Sequence, residues 1–310
     1  MLSRVAENLF WIARYIERAE NIARLLDVNY YATLEGAGLV TQQWSPLLTI
    51  TGSGEEFRAK GYRTDSRSVP NWLAFDSSNP SSIRSCIAQA RENARTLRDR
   101  ISSEMWECIN SAYHRLCFGT EHVLPNDELH QYCVTVRDSS HLFFGIAFAT
   151  LPRDQGWQFL QAGQHLERGD AILRLLQVRY RKTGEQAVEE ALENHRCMAI
   201  LKTASAYEAF RKSQHTKLEP RNIAEFLLLE PDFPRSVRYC AETLRDALEQ
   251  IAEANRSSKR DALREVGWLA AKLEYAQIDQ ILDLENPSLE QLLNEFNTVG
   301  AAVYRAYFGN

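Results

Sequence analysis

Apolar side chains near the start of the chain recur at alternating steps of four and three residues. The residues of this series are Val5, Leu9, Ile12, Ile16, Ala19, Ala23 and Leu26. Such spacing places them along one face of an α-helix, as in the seam of a helix bundle. Trp11, Ile22 and Leu25 lie on other sides of the same helix. We therefore expect a central helix that packs on more than one neighbour.

Charged residues interrupt the apolar face of this helix. At about 100° per residue, Glu20 projects inside the stripe, about 40° from its centre. Glu17 and Arg24 project along one flank, whereas Arg18 projects to the far side. Glu20 and Arg24 are spaced i, i+4 with the acid first, which is the favourable orientation for a helical ion pair. Because these charges lie on a packed helix, we expect the protein to satisfy them internally.

A second segment resembles the opening helix 150 residues later, where ERGD (167–170) follows the pattern of ERAE (17–20). The matching positions are Glu17 and Glu167, Arg18 and Arg168, Glu20 and Asp170, and Arg24 and Arg174. Two further pairs match in the same order: EEFR (55–58) with EAFR (208–211), and residues 71–95 with residues 225–249. Three matches in one order, at nearly constant offsets, indicate an internal duplication.

Turn signals predict the same order of helices in each copy: a long helix, a second helix, a Pro-containing turn, a third helix and a fourth. Ser82 and Ser236 stand where the N-caps of the third helices are expected. The fourth helices are predicted around 102–118 and 259–284. Loops are predicted at 51–70, 120–128 and 214–222.

Strand signals are nearly absent, since no alternating β-branched run bounded by Asn-Gly or Asp-Gly occurs. The sequence therefore predicts an all-α fold, a helical bundle formed by two pseudo-symmetric copies of a roughly four-helix unit. The predicted copies are residues 1–150 and 151–310, and we expect them to form one compact domain.

Composition narrows the class of protein. The chain has 310 residues, 45% of them hydrophobic and 25% charged, which suffices for a large core. A net charge of −5 without a basic stripe argues against nucleic-acid binding. The longest apolar segment, 141–152, is shorter than the roughly 18 residues of a membrane span, so we expect a buried helix there. Charges among the first residues exclude a signal-peptide core, so we expect a cytoplasmic protein without membrane contact.

Familiar catalytic and metal-binding motifs are missing from the sequence. The six cysteines form no CxxC pair and are expected to be buried small hydrophobes. No phosphate-binding glycine loop and no GxSxG elbow occurs. A di-iron bundle would use Glu-x-x-His pairs, and the sequence contains none. Asp127/His130 and Asp138/His141 have that spacing with Asp, but they lie close together in sequence and have no repeat partners. We therefore expect no metal site.

The charged segment 90–110 offers a different chemistry. A solvated helix face explains many of its charges, but explains Asn93, Glu104 and Asn110 less well. Arg95, Asn110 and the Pro-Arg-Ser turn containing Arg235 together have the groups to recognise a carboxylate or phosphate, because Arg forks and helix N-termini both favour anions.

The two acidic clusters admit a functional and a structural explanation. If the duplication brings them together near a pseudo-twofold axis, they line a pocket in which Glu17, Glu20, Glu167 and Asp170 act as catalytic acids and bases. The candidate substrate-binding residues are Arg18, Arg24, Arg168, Arg174, Asn93, Arg95, Glu104, Asn110 and Arg235. In the structural explanation, the same charges form ion pairs within and between helices.

Four segments in order resemble the bacterial Alpha-E family. They are LSRVAENLFWIARYIERAENIARLLDV, RENARTLRDRISSEMWECIN, FLQAGQHLERGDAILRLL and FLLLEPDFPRSV. The resemblance covers nearly the whole chain and implies an all-helical fold. The family's Glu-Arg motif falls on Glu17-Arg18 and Glu167-Arg168, and its Arg-Glu-Asn-Ala-Arg motif on residues 91–95. One departure is Gly163-Gln164, where the family tends to show Gly-Arg, so that a cation opposite Glu167 is expected to be missing.

The resemblance implies a role beside other enzymes. Family members resemble accessory components encoded next to circularly permuted ATP-grasp ligases and transglutaminase-like proteases. It thus implies a component of a peptide or amino-acid ligation or modification system, which binds or acts on its substrate through a Glu/Arg-lined helical pocket. No cofactor is expected in this chain, because ATP and Mg²⁺ come with the partner ligase. The alternative is a non-catalytic scaffold that docks the ligase or its peptide substrate.

Overall fold

The computed structural model describes residues 3–35, 44–117, 126–180, 190–213, 217–255, 260–282 and 288–309. Over these ranges every regular element is an α-helix and no strand occurs. The predicted all-α bundle is confirmed, whereas the pseudo-symmetric duplication stays a prediction. None of the helices in these ranges is long and apolar enough to cross a membrane.

The chain divides into two compact units, Met1–Gln164 and His165–Asn310. The helices that begin in the first unit are α1 (Ser3–Glu35), α2 (Ser45–Ile50), α3 (Gly54–Ala59), α4 (Ser68–Ala74), α5 (Ile83–Arg95), α6 (Ser103–Cys117), α7 (Asn126–Thr150) and α8 (Gln155–Arg179). Helix α8 runs through the boundary between the units. The predicted repeats, 1–150 and 151–310, instead divide between α7 and α8, and they stay a prediction because compactness does not test sequence repetition.

Helix α1 is the central element of the first unit. It packs against α4, α5 and α7, and α6 in turn packs against α5 and α7. Ile12, Ala19 and Leu26 on the predicted stripe are fully buried, and Ile22 and Leu25 on other sides are buried as well. The expectation of a helix with several neighbours is confirmed.

The caps and fourth helix of the first unit follow the sequence prediction. The Ser82 hydroxyl accepts a hydrogen bond from the Ser85 backbone N–H at 3.2 Å, as an N-cap does. Helix α6 (Ser103–Cys117) occupies the segment predicted around 102–118. The predicted loop 51–70 is wrong in part, because it contains α3 and the start of α4. Phe57 explains the difference: it is fully buried on α3 and packs edge-on against Trp72.

The segment 141–152 is also only partly as predicted. It forms the end of α7, with Phe143 and Ala147 buried, but Leu142 and Phe148 are 54% and 68% exposed. Apolar residues occur on both sides of this helical segment, and only one side faces the core. The expectation of a fully buried helix is therefore wrong for the other side.

The second unit contains seven further helices in its described part. They are α9 (Glu190–Thr203), α10 (Tyr207–Lys212), α11 (Pro220–Leu229), α12 (Val237–Asn255), α13 (Arg260–Tyr275), α14 (Ile278–Ile281) and α15 (Ser288–Tyr307). Helix α13 packs against α11, α12 and α15. Ser236 caps α12, since its hydroxyl accepts from the Tyr239 N–H at 3.0 Å.

Three predicted features, two in the second unit and one in the first, are corrected or fall partly outside the described residues. The fourth helix predicted around 259–284 is two helices, because the backbone is extended at Gln277, between α13 and α14. The predicted loop 214–222 overlaps α11, which begins at Pro220, and residues 214–216 lie outside the described ranges. The predicted loop 120–128 overlaps α7 from Asn126, and its residues 120–125 also lie outside those ranges.

Helix α8 approaches α1 closely at a glycine. A Cβ built on Gly163 would lie 2.2 Å from the Phe10 carbonyl oxygen, which is backbone and has no side-chain freedom to move away. Any residue larger than glycine therefore forces the two helices apart at this point.

We expect Gly163→Ala to lower the free energy of unfolding by about 3 kcal/mol, because the added methyl group overlaps the α1 backbone. The matched control is Gly145→Ala, also within a helix, where a Cβ meets nothing within 4 Å. That change should stabilise the protein by about 0.5–1 kcal/mol, the ordinary helix preference of Ala over Gly. Urea unfolding measures both, and equal effects of the two changes would contradict the close approach.

Candidate functional site

The Glu20 carboxylate lies at the interface of α1 and α7 and is only 1% exposed. Arg24 donates to its Oε1 from Nε at 2.9 Å and from Nη2 at 2.8 Å. The Ser140 hydroxyl on α7 donates to Oε2 at 2.6 Å. The ion pair expected from the i, i+4 spacing is therefore formed, and both carboxylate oxygens are hydrogen-bonded.

His141 extends this cluster to the protein surface. Its Nε2 lies 3.0 Å from Arg24 Nη2 and 3.4 Å from Glu20 Oε1. A guanidinium has only donors, so Nε2 accepts from Arg24 and the ring proton then sits on Nδ1. The side chain is 58% exposed, so the imidazole presents its other edge to solvent.

A second buried carboxylate, Asp27, lies two helical turns along α1. His130 Nδ1 is 2.6 Å from Asp27 Oδ1, and Arg137 Nη1 donates to Oδ2 at 3.1 Å. The edge of the Tyr31 ring packs against the His130 ring, with centroids 5.1 Å apart. As at Glu20, a buried acid is held by an arginine, and a histidine of α7 that reaches solvent lies beside the pair.

We call this arrangement the α1–α7 polar seam. Its residues are Glu20, Arg24, Asp27, His130, Arg137, Ser140 and His141. Of these residues, only the Glu20–Arg24 pair is predicted from the sequence, in which the two histidines stand out only through a metal-ligand spacing. The spacing in the sequence does indicate part of the seam. Asp27 follows Glu20 by seven residues, and Arg137 follows His130 by seven, so each pair shares a helix face.

Glu17 lies on the same helix, fully buried, outside the seam. Gln164 Nε2 on α8 donates to its Oε2 at 3.3 Å. This glutamine stands where the family resemblance leads one to expect arginine. The missing cation was expected opposite Glu167, whereas the Gln164 amide that replaces it reaches Glu17.

The acidic residues of the second unit lie on α8. Arg174 Nε donates to Asp170 Oδ2 at 2.6 Å, and this pair is more exposed than its counterpart on α1. Glu167 is buried, and Arg168 Nη1 donates to the Pro234 carbonyl oxygen at 3.3 Å. Arg168 thus reaches the turn that precedes α12. The shared pocket expected for the two acidic clusters stays a prediction.

His165, one helical turn before Arg168, is a feature that the sequence analysis missed. It is 4% exposed, and its ring centroid lies 5.8 Å from that of Tyr239 on α12. Among the described residues Nδ1 has no hydrogen-bond partner. Burial, and then the positive charges of Arg168 and Arg235, hold the pKa of His165 well below its ordinary value. Nothing in its local sequence distinguishes this histidine from an exposed one.

The candidate residues of the segment 90–110 are engaged within the first unit. Arg95 is exposed and pairs with Glu92, and Asn110 accepts from Arg91 Nε at 2.8 Å. The Asn93 carbonyl oxygen accepts from the Thr96 hydroxyl. Glu104 is exposed in the first turn of α6, and Arg18 is half-buried on α1. Arg235 is buried in the second unit, so the predicted anion site that combined it with Arg95 and Asn110 stays a prediction.

The remaining candidate groups are metal-binding side chains and the cysteines. Over the described ranges, no group of three or more His, Cys, Asp and Glu side chains is arranged to hold a metal ion. All six cysteines are buried and none forms a disulfide, which agrees with their interpretation as small hydrophobes. Burial raises the pKa of the Cys117 thiol to about 11, so this group stays protonated at neutral pH.

We expect Glu20→Gln to lower the free energy of unfolding by about 3–5 kcal/mol, because it leaves the buried Arg24 guanidinium without its counter-charge. The control is Glu92→Gln, which removes a half-exposed carboxylate paired with Arg95 and should change stability by less than about 1 kcal/mol. Urea unfolding at pH 7 compares them. Similar small losses in both variants would show that the Glu20 cluster is not strongly coupled to the fold.

We expect His165 to make stability fall in mildly acidic solution. Its pKa is lowered in the folded protein, so below the ordinary value of 6.5 the unfolded chain binds a proton that the folded chain does not. Stability from this group is complete above pH 6.5 and is lost as the pH falls through that value. Between pH 7.5 and 5.5 the loss is about 1 kcal/mol. His165→Asn should remove this part of the pH dependence, measured by thermal unfolding in chloride buffers. A variant of the exposed His114, His114→Asn, should leave it in place.

Comparison with known proteins gives relatives but no activity. The chain is 24% identical to an uncharacterized protein of Mycobacterium bovis and 23% identical to one of Mycobacterium tuberculosis. Each alignment covers 94% of this chain and 34% of the relative. The chain therefore spans about a third of the length of the curated relatives that it matches. No solved structure shows significant similarity to it.

A family model matches the chain over nearly all of its length. This family, Alpha-E, is described as a predicted alpha-helical domain with a conserved ER motif, and the match covers residues 1–308. The Glu-Arg pairs at 17–18 and 167–168 both lie on the long helices α1 and α8. Together with the all-helical fold, this match shows that the chain belongs to the Alpha-E family.

Proposed function

We propose that this chain is the substrate-binding component of an ATP-grasp-linked system that ligates or modifies an amino acid or peptide. In this proposal the chain holds the substrate, and a circularly permuted ATP-grasp ligase supplies ATP, Mg²⁺ and the chemical step. A transglutaminase-like protease is a further partner in the same system. The observation that carries a binding rather than a catalytic role is the complete engagement of the buried Glu20 carboxylate.

A general acid or base must come within hydrogen-bond reach of the proton that it transfers. Glu20 is 1% exposed, with one oxygen bound by Arg24 and the other by Ser140. Glu17 is fully buried and accepts from Gln164. Proton transfer by either carboxylate requires these contacts to break first. The geometry therefore supports these acids as anchors for cations and amides.

The groups that reach solvent around the buried acids suit the binding of an anion. His130 and His141 extend to the surface from α7, and Arg137 is about a quarter exposed beside them. On α8, Arg174 is about a third exposed beside Asp170. Arginine binds carboxylates with two parallel hydrogen bonds, so such positions favour the carboxylate of an amino acid or peptide.

The length of the mycobacterial relatives supports a role for this helical unit beside another domain. The match covers 34% of each relative, so about two thirds of their length lies outside it. That is room for further domains in the same polypeptide. A helical unit that occurs within a longer chain is well suited to hold a substrate for a neighbouring enzyme.

A scaffold that docks the ligase is the second candidate, and exposed apolar side chains favour it. Trp268 and Tyr275 on α13 are 76% and 79% exposed, and Leu142 and Phe148 on α7 are more than half exposed. Such large apolar groups on a surface are typical of protein interaction sites when they cluster. In this alternative the chain binds the ligase and makes no contact with the substrate.

We expect product to form only when the chain, the proposed ATP-grasp ligase partner, ATP, Mg²⁺ and the correct amino acid or peptide are combined. Mass spectrometry detects the product, and calorimetry measures substrate binding to the isolated chain. Glu17→Gln should leave kcat within about threefold of the unchanged protein, since Glu17 contacts Gln164. A fall of 10²–10⁴-fold in kcat, in a variant shown to be folded by circular dichroism, would instead assign Glu17 to proton transfer.

Two outcomes decide between the remaining possibilities. If the isolated chain binds no substrate, but Trp268→Ser weakens its capture of the ligase, the scaffold role replaces the binding role. If the ligase forms the same amount of product without this chain, the proposed partnership is wrong.

A further inference from the structure

One buried carboxylate places a histidine and an arginine of α7 side by side at the protein surface. Asp27 on α1 is 5% exposed, His130 Nδ1 lies 2.6 Å from its Oδ1, and Arg137 Nη1 donates to its Oδ2 at 3.1 Å. The His130 and Arg137 side chains remain 36% and 26% exposed. Because they bind the two oxygens of one carboxylate, their outer edges reach solvent next to each other.

The Asp27 contact determines which hydrogen bonds the outer edge of His130 offers. An ionised carboxylate only accepts hydrogen bonds, so the imidazole proton sits on Nδ1 and is donated to Asp27. In the neutral ring Nε2 then carries a lone pair and acts as an acceptor. Within the described part of the chain Nε2 has no hydrogen-bond partner, and it is not a buried atom. A carboxylate that orients one nitrogen of a histidine is common where the other nitrogen contacts a ligand.

Arg137 supplies hydrogen-bond donors beside this acceptor. Its guanidinium has five N–H groups, and among the described residues Asp27 accepts from one of them. The remaining donors favour an anion, above all a carboxylate, which binds a guanidinium through two parallel hydrogen bonds. A carboxylate alone, however, would bring its lone pairs against that of His130 Nε2. The two side chains therefore fit a ligand in which a carboxylate and an N–H donor lie close together.

An α-amino acid has this combination, because a single carbon atom separates its ammonium group from its carboxylate. We propose that His130 and Arg137 bind these two groups of a free α-amino acid, with Asp27 as the positioning residue behind them. The ammonium donates to His130 Nε2, and the carboxylate accepts from Arg137. Tyr31, 40% exposed with its ring edge against His130, contacts the side chain of the ligand. The proposal rests on the proposed function, because it names the substrate class and the location of that binding role.

The other end of the α1–α7 polar seam offers different hydrogen bonds. There His141 Nε2 accepts from Arg24 at 3.0 Å, so its solvent-facing edge carries the Nδ1–H donor. His141 lies about 16 Å along α7 from His130, which is too far for one amino acid to contact both. Of the two ends of the seam, the Asp27 end is therefore the one that presents an acceptor beside an arginine.

The test observes His130 in the isolated ¹⁵N-labelled chain at neutral pH, before and during titration with each common L-amino acid. Long-range ¹H–¹⁵N spectra resolve the imidazole nitrogens and their tautomer, and His130→Asn identifies the signal of interest. Without ligand we expect the Nδ1–H tautomer. With at least one amino acid we expect a saturable shift of Nε2, and about tenfold weaker binding of its N-acetyl and amide derivatives, which each lack one of the two charged groups.

Arg137→Gln should weaken amino-acid binding about tenfold, because it removes the guanidinium donors. Arg115→Gln is the matched control, since Arg115 on α6 also reaches α7, where its Nη2 donates to the Ser139 hydroxyl at 3.2 Å. Binding in this control should equal that of the unchanged protein. If Arg137→Gln does not fold, the comparison of the amino acid with its two derivatives in the unchanged protein decides.

Each other outcome overturns part or all of the proposal. An Nε2–H tautomer, the absence of a saturable shift with every amino acid, or equal binding in Arg137→Gln and Arg115→Gln overturns the site. Equal binding of an amino acid and its N-acetyl derivative overturns the recognition of the amine. Because no ligase is present, amino-acid binding at His130 without product in the ligase assay overturns the proposed partnership and leaves this site in place.

Discussion

The structure of the first unit depends on keeping α1 buried while it carries charge. This helix contacts α4, α5 and α7, so the carboxylates of Glu20 and Asp27 have no water to solvate them. Glu20 is held by Arg24 and Ser140 instead, and Asp27 by His130 and Arg137. A pair of buried charges adds little net stability compared with apolar residues, but removing one partner leaves the other uncompensated. The arrangement therefore specifies how α7 must lie against α1.

The sequence predicted those features that are determined by interactions between residues close in the chain. The Glu20–Arg24 pair follows from helical spacing alone, and the Ser82 and Ser236 caps follow from the residues beside them. These contacts form between residues close in the chain, so no knowledge of tertiary packing is needed. The all-helical class follows for the same reason, because helical periodicity is also a local property.

The contacts and exposures that depend on tertiary packing were not predicted from the sequence. Ser140 approaches Glu20 only because one particular face of α7 packs on α1, and periodicity does not say which element an apolar face will meet. For the same reason the exposure of Leu142 and Phe148 was missed, since a helix that is apolar on two sides has no obvious outer surface. His165 became visible only through its burial and its neighbours. The candidate site is thus less predictable than the fold.

Helix α8 limits where the protein can be cut into separate fragments for experiments. It runs from Gln155 to Arg179 without interruption, while the border between the two compact units falls between residues 164 and 165, inside it. A cut at that border would leave the first part with a frayed end at Gln164, the residue that binds Glu17. It would leave the second part beginning at His165, with a charged amino group attached to a buried residue. The two units share one continuous helix, so a cut between them divides a regular element.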